Sequence, residues 1–371
     1  MKNWWLPLLL ALIVLPFLGG IGALTVGVGS FVMLFFANRS RPDSIAESKQ
    51  RETSHNALVA KFDSIFAMKW VRILAMIAVV ALPFYLPRFP LEIVTLAFIY
   101  VMLAMGLDIV VGLTGLLALG FIAFYAVGAY TYALLATQFQ INFFLALPLG
   151  ALAAAIVGFL VGLPVLRLKG DYLAIVTLGF GEITRIVLNN WDKVTGGPNG
   201  IGGIPRPSLF GIKLASPSIY YWIALAMVVI CAAAIWRLVR SKVGRSWEAI
   251  REDELAAAAC GIPVVRYKLL AFSLGASYAG AAGVFFAGRM THISPESFSF
   301  LESILVLCMV VLGGMGSLAG VVVGAVALIV LPEILRGADL YRMLAFGILL
   351  ILMMRFRPQG ILPARRAQRF I

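Results

Sequence analysis

The chain has 371 residues, of which 62% are hydrophobic and 13% charged, and its mean hydropathy is +0.99. No soluble core of this length needs so much apolar surface, so the composition predicts an integral membrane protein and excludes a soluble enzyme or soluble binding module. The formal net charge of +13 would indicate a nucleic-acid partner in a soluble protein. In a membrane protein, basic residues are first assigned to the cytoplasmic loops.

The three cysteines are far apart and the two histidines fall in predicted loops. This spacing predicts no disulfide, no metal centre and no cofactor site.

The N-terminal residues 1–38 are predicted to form a two-span hairpin that turns around Pro16 to Gly22. A cleaved signal peptide is the alternative, but apolar sequence continues to Ala37 and favours the hairpin. Residues 39–70 carry mixed charges and no apolar periodicity, which predicts a cytoplasmic linker.

Residues 71–362 are predicted to form the main transmembrane domain, and residues 363–371 a basic cytoplasmic tail. Several apolar segments are shorter than the roughly 20 residues that a bilayer requires, so some spans are expected to be broken or re-entrant. The predicted fold is an all-α polytopic transmembrane helical bundle of about 10 to 12 spans with a short cytoplasmic coupling helix. The apolar segments are 4–18, 21–37, 71–86, 91–111, 116–135, 145–166, 172–188, 220–239, 268–289, 303–318, 319–335 and 342–357.

Basic residues predict the orientation of this bundle. When the C-terminus is placed in the cytoplasm and the spans alternate, 22 of the 30 Lys and Arg residues fall inside. Such asymmetry sets membrane orientation, so both termini are predicted to be cytoplasmic. It also accounts for most of the net charge without nucleic acid.

A charged segment, 247–260, lies between two apolar spans and is predicted to be a continuous helix of about 21 Å. Ser246 is its expected N-cap, Gly261 its expected left-handed C′ residue, and Pro263 prevents continuation. The charge rule places this helix in the cytoplasm. A docking helix for a cytoplasmic partner is favoured over a helix that only covers its own membrane domain.

Large apolar side chains on this helix, Trp247, Ile250 and Leu255, are the expected anchors for a partner. The alanines 256–259 would allow close approach of another surface. The expected polar rim consists of Arg245, Arg251, Glu252, Asp253 and Glu254.

Two glycine-rich stretches, 112–120 and 312–320, interrupt apolar segments in the two halves of the chain. Broken helices are tolerated where protein or a water-filled cavity satisfies the backbone, which indicates a substrate path. Close helix packing through small residues is the alternative. The candidate residues of the path are Asp108, Gly112, Thr114, Gly115, Glu182, Gly313, Gly314 and Gly316.

Ionisable residues inside apolar segments are costly unless they are paired or hydrated. Glu182 and Arg185 are three positions apart, which predicts a mutual ion pair that faces the bundle interior. A direct contact with substrate is the less favoured alternative. Asp108 has no partner nearby in the sequence and remains a pathway candidate.

The sequence lacks the nucleotide-binding and catalytic motifs that would indicate an enzyme. It contains no Gly-x-x-x-x-Gly-Lys-Ser/Thr stretch, so the chain is not expected to bind ATP through a P-loop. It also shows no catalytic constellation and is therefore not expected to be an enzyme.

Taken together, these segments resemble the permease subunits of bacterial ABC importers for branched-chain amino acids, the LivM type, over residues 91 to 362. The matching segments are 112–120, 126–130, 166–172, Thr195–Ile201, Gly244–Ile262, Lys268–Phe272, Ile293–Phe298, Val310–Gly316, Leu331–Glu333 and Arg357–Gly360.

This resemblance implies that a coupling helix at 246–261 meets an ATPase subunit. Here Ile250 follows Ala249, which departs from the family's Glu-Ala-Ala pattern and leaves the register of the contacts open. The residues implied to couple to the ATPase are Trp247, Glu248, Ala249, Arg251 and Gly261.

The implied partners are a homologous LivH-type permease chain, two cytoplasmic ABC ATPase subunits, a periplasmic amino acid-binding protein and the lipid bilayer of the bacterial inner membrane. A permease for urea or short amides in the same family is one alternative. An ion-coupled secondary transporter is the alternative from a different class.

Overall fold

A computed structural model describes residues 83, 87–165, 168, 170–209, 212–213, 216–334, 347, 351 and 360–362. The predicted hairpin 1–38, the linker 39–70, the apolar segments 71–86 and 342–357 and the tail 363–371 lie outside these residues, apart from the isolated positions just given.

The described chain is built of α-helices joined by short loops. Two small antiparallel strand pairs occur in the loops, Ile201 opposite Ile293 and Ser208 opposite Lys213. The helices are α1 (Arg88–Asp108), α2 (Ile122–Gln138), α3 (Phe143–Val165), α4 (Asp171–Asn190), α5 (Asp192–Thr195), α6 (Pro217–Arg240), α7 (Lys242–Glu252), α8 (Glu254–Ala259), α9 (Val264–Met290), α10 (Phe300–Gly313) and α11 (Leu318–Ile334). The strands are β1 (Ile201–Gly202), β2 (Ser208–Leu209), β3 (Ile212–Lys213) and β4 (His292–Ile293), and 3-10 turns span Gly197–Asn199 and Pro295–Phe298.

Five helical segments of the described residues are long and apolar enough to cross a membrane, and Leu318–Glu333 is a shorter apolar helix. The first four of the five agree with the predicted spans to within four residues, whereas the predicted span 303–318 is wrong at both ends, since the segment runs from Pro295 to Gly313. The five segments are Arg88–Leu113, Phe143–Val165, Pro217–Arg240, Val264–Met290 and Pro295–Gly313.

The core surrounds α9 and the second half of α1, whose residues from 97 onward are buried apart from the half-buried Tyr100. Small residues let the helices approach closely here. A Cβ on Gly128 of α2 would overlap the backbone of Gly280 in α9, and one on Gly106 would lie 2.8 Å from the carbonyl oxygen of Gly275. Gly128 therefore serves close helix packing through small residues.

Helix α1 ends in a π-helical segment, Ile109–Leu113, after which the chain is not helical until α2. The predicted span 116–135 is therefore wrong at its start, since helix begins only at Ile122. Gly115 takes a positive φ of 74° within this break, a conformation that a side chain would disfavour. The second glycine-rich stretch also breaks, at 314–317 between α10 and α11.

The loops gather at two ends of the bundle. One end brings together Gly112, Arg251 and Gly316. At the other end the hydroxyl of Tyr132 donates to Pro205 O at 2.8 Å, and β1 pairs with β4.

Candidate coupling site

The corner between α6 and α7 determines where the charged segment becomes helical. Ser241 caps α7, since its Oγ accepts from the backbone N–H of Val243 at 3.1 Å. A Cβ on Gly244 would crowd the carbonyls of Leu238 and Val239, so only glycine fits this corner. The predicted N-cap at Ser246 is wrong: it lies inside α7, and its hydroxyl donates to Lys242 O at 3.0 Å.

The charged segment is not one rod. Asp253 has extended backbone (φ −154°) and separates α7 from α8. Its Oδ1 accepts from the N–H groups of Leu255 at 2.8 Å and Ala256 at 3.0 Å. The predicted continuous helix 247–260 is therefore wrong, because this aspartate caps a new helix and does not continue the first one.

The end of α8 follows the prediction. Gly261 has a φ of 82°, its N–H donates to Ala258 O, and the N–H of Ile262 donates to Ala257 O. These two bonds form the Schellman motif that a C′ glycine allows. Pro263 then precedes α9.

Burial divides the expected anchors into two groups. Trp247 is 0% exposed and Ile250 4%, and the indole Nε1 of Trp247 donates to Tyr267 O at 2.9 Å. The expectation that both anchor a partner is wrong, because they attach α7 to its own membrane domain. Leu255, at 74% exposure, remains available, with the exposed Ala256, Ala258 and Ala259 beside it.

Arg251 also turns inward from α7. Its Nη1 donates to the backbone carbonyl of Gly112, which lies in the π-helical segment at the end of α1. The last turn of a helix leaves carbonyls that need partners from outside the helix. The charged helix is thus bonded to the place where the first described span breaks.

Asp108 joins the second glycine break to the same place. It is 3% exposed, and its Oδ1 accepts from the backbone N–H of Gly316 at 2.7 Å. A Cβ on Gly112 would overlap this carboxylate, and one on Gly316 would lie 3.2 Å from Arg251 Nη1. We call Asp108, Gly112, Arg251 and Gly316 the coupling junction.

An ion pair attaches α8 to α9. Lys268 is 4% exposed, and its Nζ lies 2.7 Å from Glu254 Oε2. Both residues border a cleft of about 330 Å³, which also opens on Thr114, Gly115 and Gly170. The cleft lies between the charged helices, the first glycine break and the start of α4.

The other glycines of the second stretch serve packing. A Cβ on Gly313 would overlap the backbone of Gly320, and the N–H of Leu362 donates to Gly313 O at 3.0 Å. Gly314 is buried and lies against Gly360. For Gly313 and Gly314 this arrangement favours the packing alternative over a path lining.

Glu182 and Arg185 form the predicted ion pair on α4, since Nε and Nη2 of Arg185 lie 3.0 and 2.9 Å from Glu182 Oε2. Their side chains are 34% and 38% exposed. The pair therefore does not face a packed interior of this chain.

Residues that the sequence assigned to separate groups are bonded to one another's elements in the structure. The sequence prediction for the charged segment was wrong in part. It grouped Arg251 and Glu254 with an exposed rim, whereas both bond to the membrane domain. The buried Asp108 was the available signal, because an acid in an apolar span needs a partner. That partner, Gly316, lies 208 positions away and has no side chain to reveal it.

Several known proteins are similar to this chain in sequence. The family described as "Branched-chain amino acid transport system / permease component" matches residues 89–354. The high-affinity branched-chain amino acid transport system permease protein LivM of Escherichia coli (strain K12) is 45% identical over an alignment of 366 residues. The alignment covers 92% of this chain and 86% of the relative. Its counterpart from Salmonella typhimurium is 48% identical over an alignment of 316 residues, which covers 79% of this chain and 74% of the relative.

A more distant relative is the autoinducer 2 import system permease protein LsrC of Klebsiella pneumoniae. It is 30% identical over 182 residues, or 48% of this chain and 50% of the relative. No solved structure matches the chain.

Proposed function

Because the chain belongs to the family of branched-chain amino acid transport system permease components, we propose that it is the membrane-spanning subunit of an ABC importer that moves leucine, isoleucine and valine into the cytoplasm. It is a multi-pass transport subunit, and separate ATPase subunits hydrolyse the ATP. The two relatives named above for branched-chain amino acids are 45% and 48% identical to this chain, whereas the one named for autoinducer 2 is 30% identical over a shorter stretch. That difference supports an amino acid substrate.

The bond from Arg251 to the carbonyl of Gly112 is the observation that carries the coupling mechanism. A partner that moves α7 and α8 pulls on the end of α1 through this bond. The same movement reaches the break before α11 through Asp108 and Gly316. ATP-driven closure of the partner subunits would thereby favour one conformation of the bundle over another, which is a population shift driven by differential contacts.

The surface that meets the ATPase is the outer side of α8 together with the exposed Glu248 of α7. Leu255 is its apolar anchor, and the exposed alanines beside it leave room for a partner's side chains. Trp247, Arg251 and Gly261 act indirectly, since they hold these two helices in place.

The remaining partners of the proposed importer are those that the family implies. The end that carries α7 and α8 faces the cytoplasm of a bacterial inner membrane, and a periplasmic amino acid-binding protein docks at the opposite end. A cleft of about 620 Å³ at that end is bordered by Gln140, Asn142 and Arg206. A homologous permease chain of the LivH type completes the membrane domain.

The assembled importer tests this proposal. The chain is coexpressed with its partner permease, its ATPases and its binding protein, and ATP-dependent uptake of leucine into proteoliposomes is measured. Leu255→Asp should abolish copurification of the ATPases and uptake, whereas Lys242→Ala, an exposed change at the start of α7, should leave both intact. Uptake of leucine by the complex without ATP, or unchanged ATPase binding in Leu255→Asp, would contradict the proposal.

A further inference from the structure

The Glu182–Arg185 pair lies at the middle of a membrane-length helix. Helix α4 is not among the five helices that are apolar enough by composition to cross a membrane, but its 20 residues span about 30 Å, the thickness of the hydrocarbon core. Glu182 is about 17 Å from the start of α4 and about 12 Å from its end. A carboxylate and a guanidinium exposed at this depth would be costly against lipid tails. In the assembled importer they therefore face water or another protein chain.

Three other ionisable side chains of the described bundle have partners elsewhere in the chain. Asp108 accepts from Gly316, Lys268 pairs with Glu254, and Glu302 accepts from the hydroxyl of Tyr100 at 2.7 Å. Glu182 and Arg185 differ, because within the described part of the chain they bond only to each other.

The pair retains unused bonding capacity. Both bonds from Arg185 end on one oxygen, Oε2 of Glu182, so Oε1 of Glu182 has no partner among the described residues. Nη1 of Arg185 is likewise not engaged by them. A guanidinium edge suits a carboxylate and a carboxylate oxygen suits an ammonium group, so the pair can bind both ends of a zwitterion without separating.

The surroundings of the pair are aliphatic and aromatic. Ile183 is 60% exposed and Ile186, one turn after Glu182, is 51% exposed. On the other flank, Glu182 borders a narrow crevice with Leu178, Phe298 and Phe300. The crevice is too narrow to admit a side chain, so an apolar side chain next to a zwitterionic head group would find its matching surface at Ile183 and Ile186.

We propose that the Glu182–Arg185 pair is a binding site for the amino acid during its passage, with Arg185 receiving the α-carboxylate and Glu182 the α-ammonium group. The aliphatic side chain packs beside Ile186. This inference rests on the proposed function, and it names the chemical class that the path recognises: a zwitterionic α-amino acid with an apolar side chain.

Protection from labelling tests the site directly. Ile186→Cys is introduced into the full importer after Cys231, Cys260 and Cys308 have been replaced by serine, and the rate of reaction with a thiol reagent is measured in detergent. L-Leucine should slow the reaction, whereas leucinamide, which lacks the carboxylate, and 4-methylpentanoate, which lacks the ammonium group, should not. Ile175→Cys is the matched control, since Ile175 is 64% exposed on the same helix about 16 Å away and should not be protected.

Variants of the pair give the second measurement. Glu182→Gln and Arg185→Gln should each lower leucine uptake about 10- to 100-fold, as expected for loss of a charged hydrogen bond. Copurification of the other subunits should persist. The double variant should also lose protection of the thiol introduced by Ile186→Cys.

The outcomes separate the site from the function. Leucine uptake by the unaltered importer without any protection, or equal protection by all three compounds, overturns the site and leaves the proposed function standing. Loss of the partner permease from the double variant, together with absent protection, would show that the pair is a subunit contact. No uptake by the unaltered importer would instead count against the proposed function.

Discussion

The guanidinium of Arg251 donates a hydrogen bond to the backbone carbonyl of Gly112, 139 positions earlier in the chain. One residue belongs to a charged helix outside the apolar spans, and the other to the π-helical end of the first described span. Through this bond, the charged segment is attached to the point where the first described apolar helix breaks.

Removal of the Arg251 side chain should uncouple ATP hydrolysis from transport. Arg251→Ala breaks the bond to Gly112, so α7 can move without moving the end of α1. We expect the ATPases to remain bound and active while leucine uptake falls, which raises the ATP hydrolysed per leucine transported. Arg245→Ala is the control, because Arg245 is exposed on the same helix and bonds only locally to Arg240 O. An unchanged ratio in Arg251→Ala would show that the bond does not transmit movement.

Gly112 should tolerate no side chain. In Gly112→Ala the new methyl group would overlap the Asp108 carboxylate and lie 2.6 Å from Gly316 N. Overpacking of this kind costs about 1–3 kcal/mol, so the thermal midpoint of the purified complex should fall and uptake should decline. Gly179→Ala is the control for stability, since a Cβ there meets nothing within 4 Å. Equal thermal midpoints for the two variants would refute the crowding.

Trp247 should matter for stability and not for direct contact with the ATPase. Trp247→Ala empties a fully buried site and should cost about 3–5 kcal/mol. Trp247→Phe, which keeps most of the packing and loses the bond to Tyr267 O, should cost about 1 kcal/mol. Trp236→Ala, at a site that is 51% exposed, provides the comparison. A stable Trp247→Ala complex that has lost only its ATPases would instead indicate a surface anchor.

For the ion pair between Lys268 and Glu254, a second substitution should reverse the loss of stability that the first one causes. Glu254→Gln leaves the buried ammonium group of Lys268 without its counterion, which should lower stability by about 1–3 kcal/mol. Adding Lys268→Met removes the uncompensated charge and should restore most of the thermal midpoint. A double variant as unstable as Glu254→Gln alone would mean that the loss does not arise from the buried charge.

Several elements could be predicted from local sequence because local chemistry determines them. Apolar runs of membrane length specified most spans to within a few residues, and the sequence Gly261-Ile-Pro263 predicted the end of α8 with its left-handed glycine. The ion pair of Glu182 with Arg185 followed from their spacing of three on one helix.

Other features were not predicted, either because a local pattern fits two structures or because the contacting residues lie far apart in the sequence. Asp253 resembled one more charged residue of a helix until its carboxylate was found to cap α8. Trp247 and Ile250 resembled surface anchors, since the helix period alone does not show which face the membrane domain covers.

The sequence by itself therefore determined that this is a multi-pass membrane permease of helices, and where most of those helices begin and end, since hydropathy and helix caps act over a few residues. Only the tertiary structure decided that Asp108, Gly112, Arg251 and Gly316 meet. The physical reason is that two of the contacting groups are a backbone carbonyl and a backbone N–H, which every residue carries and which become specific partners only when folded helices bring them within bonding distance.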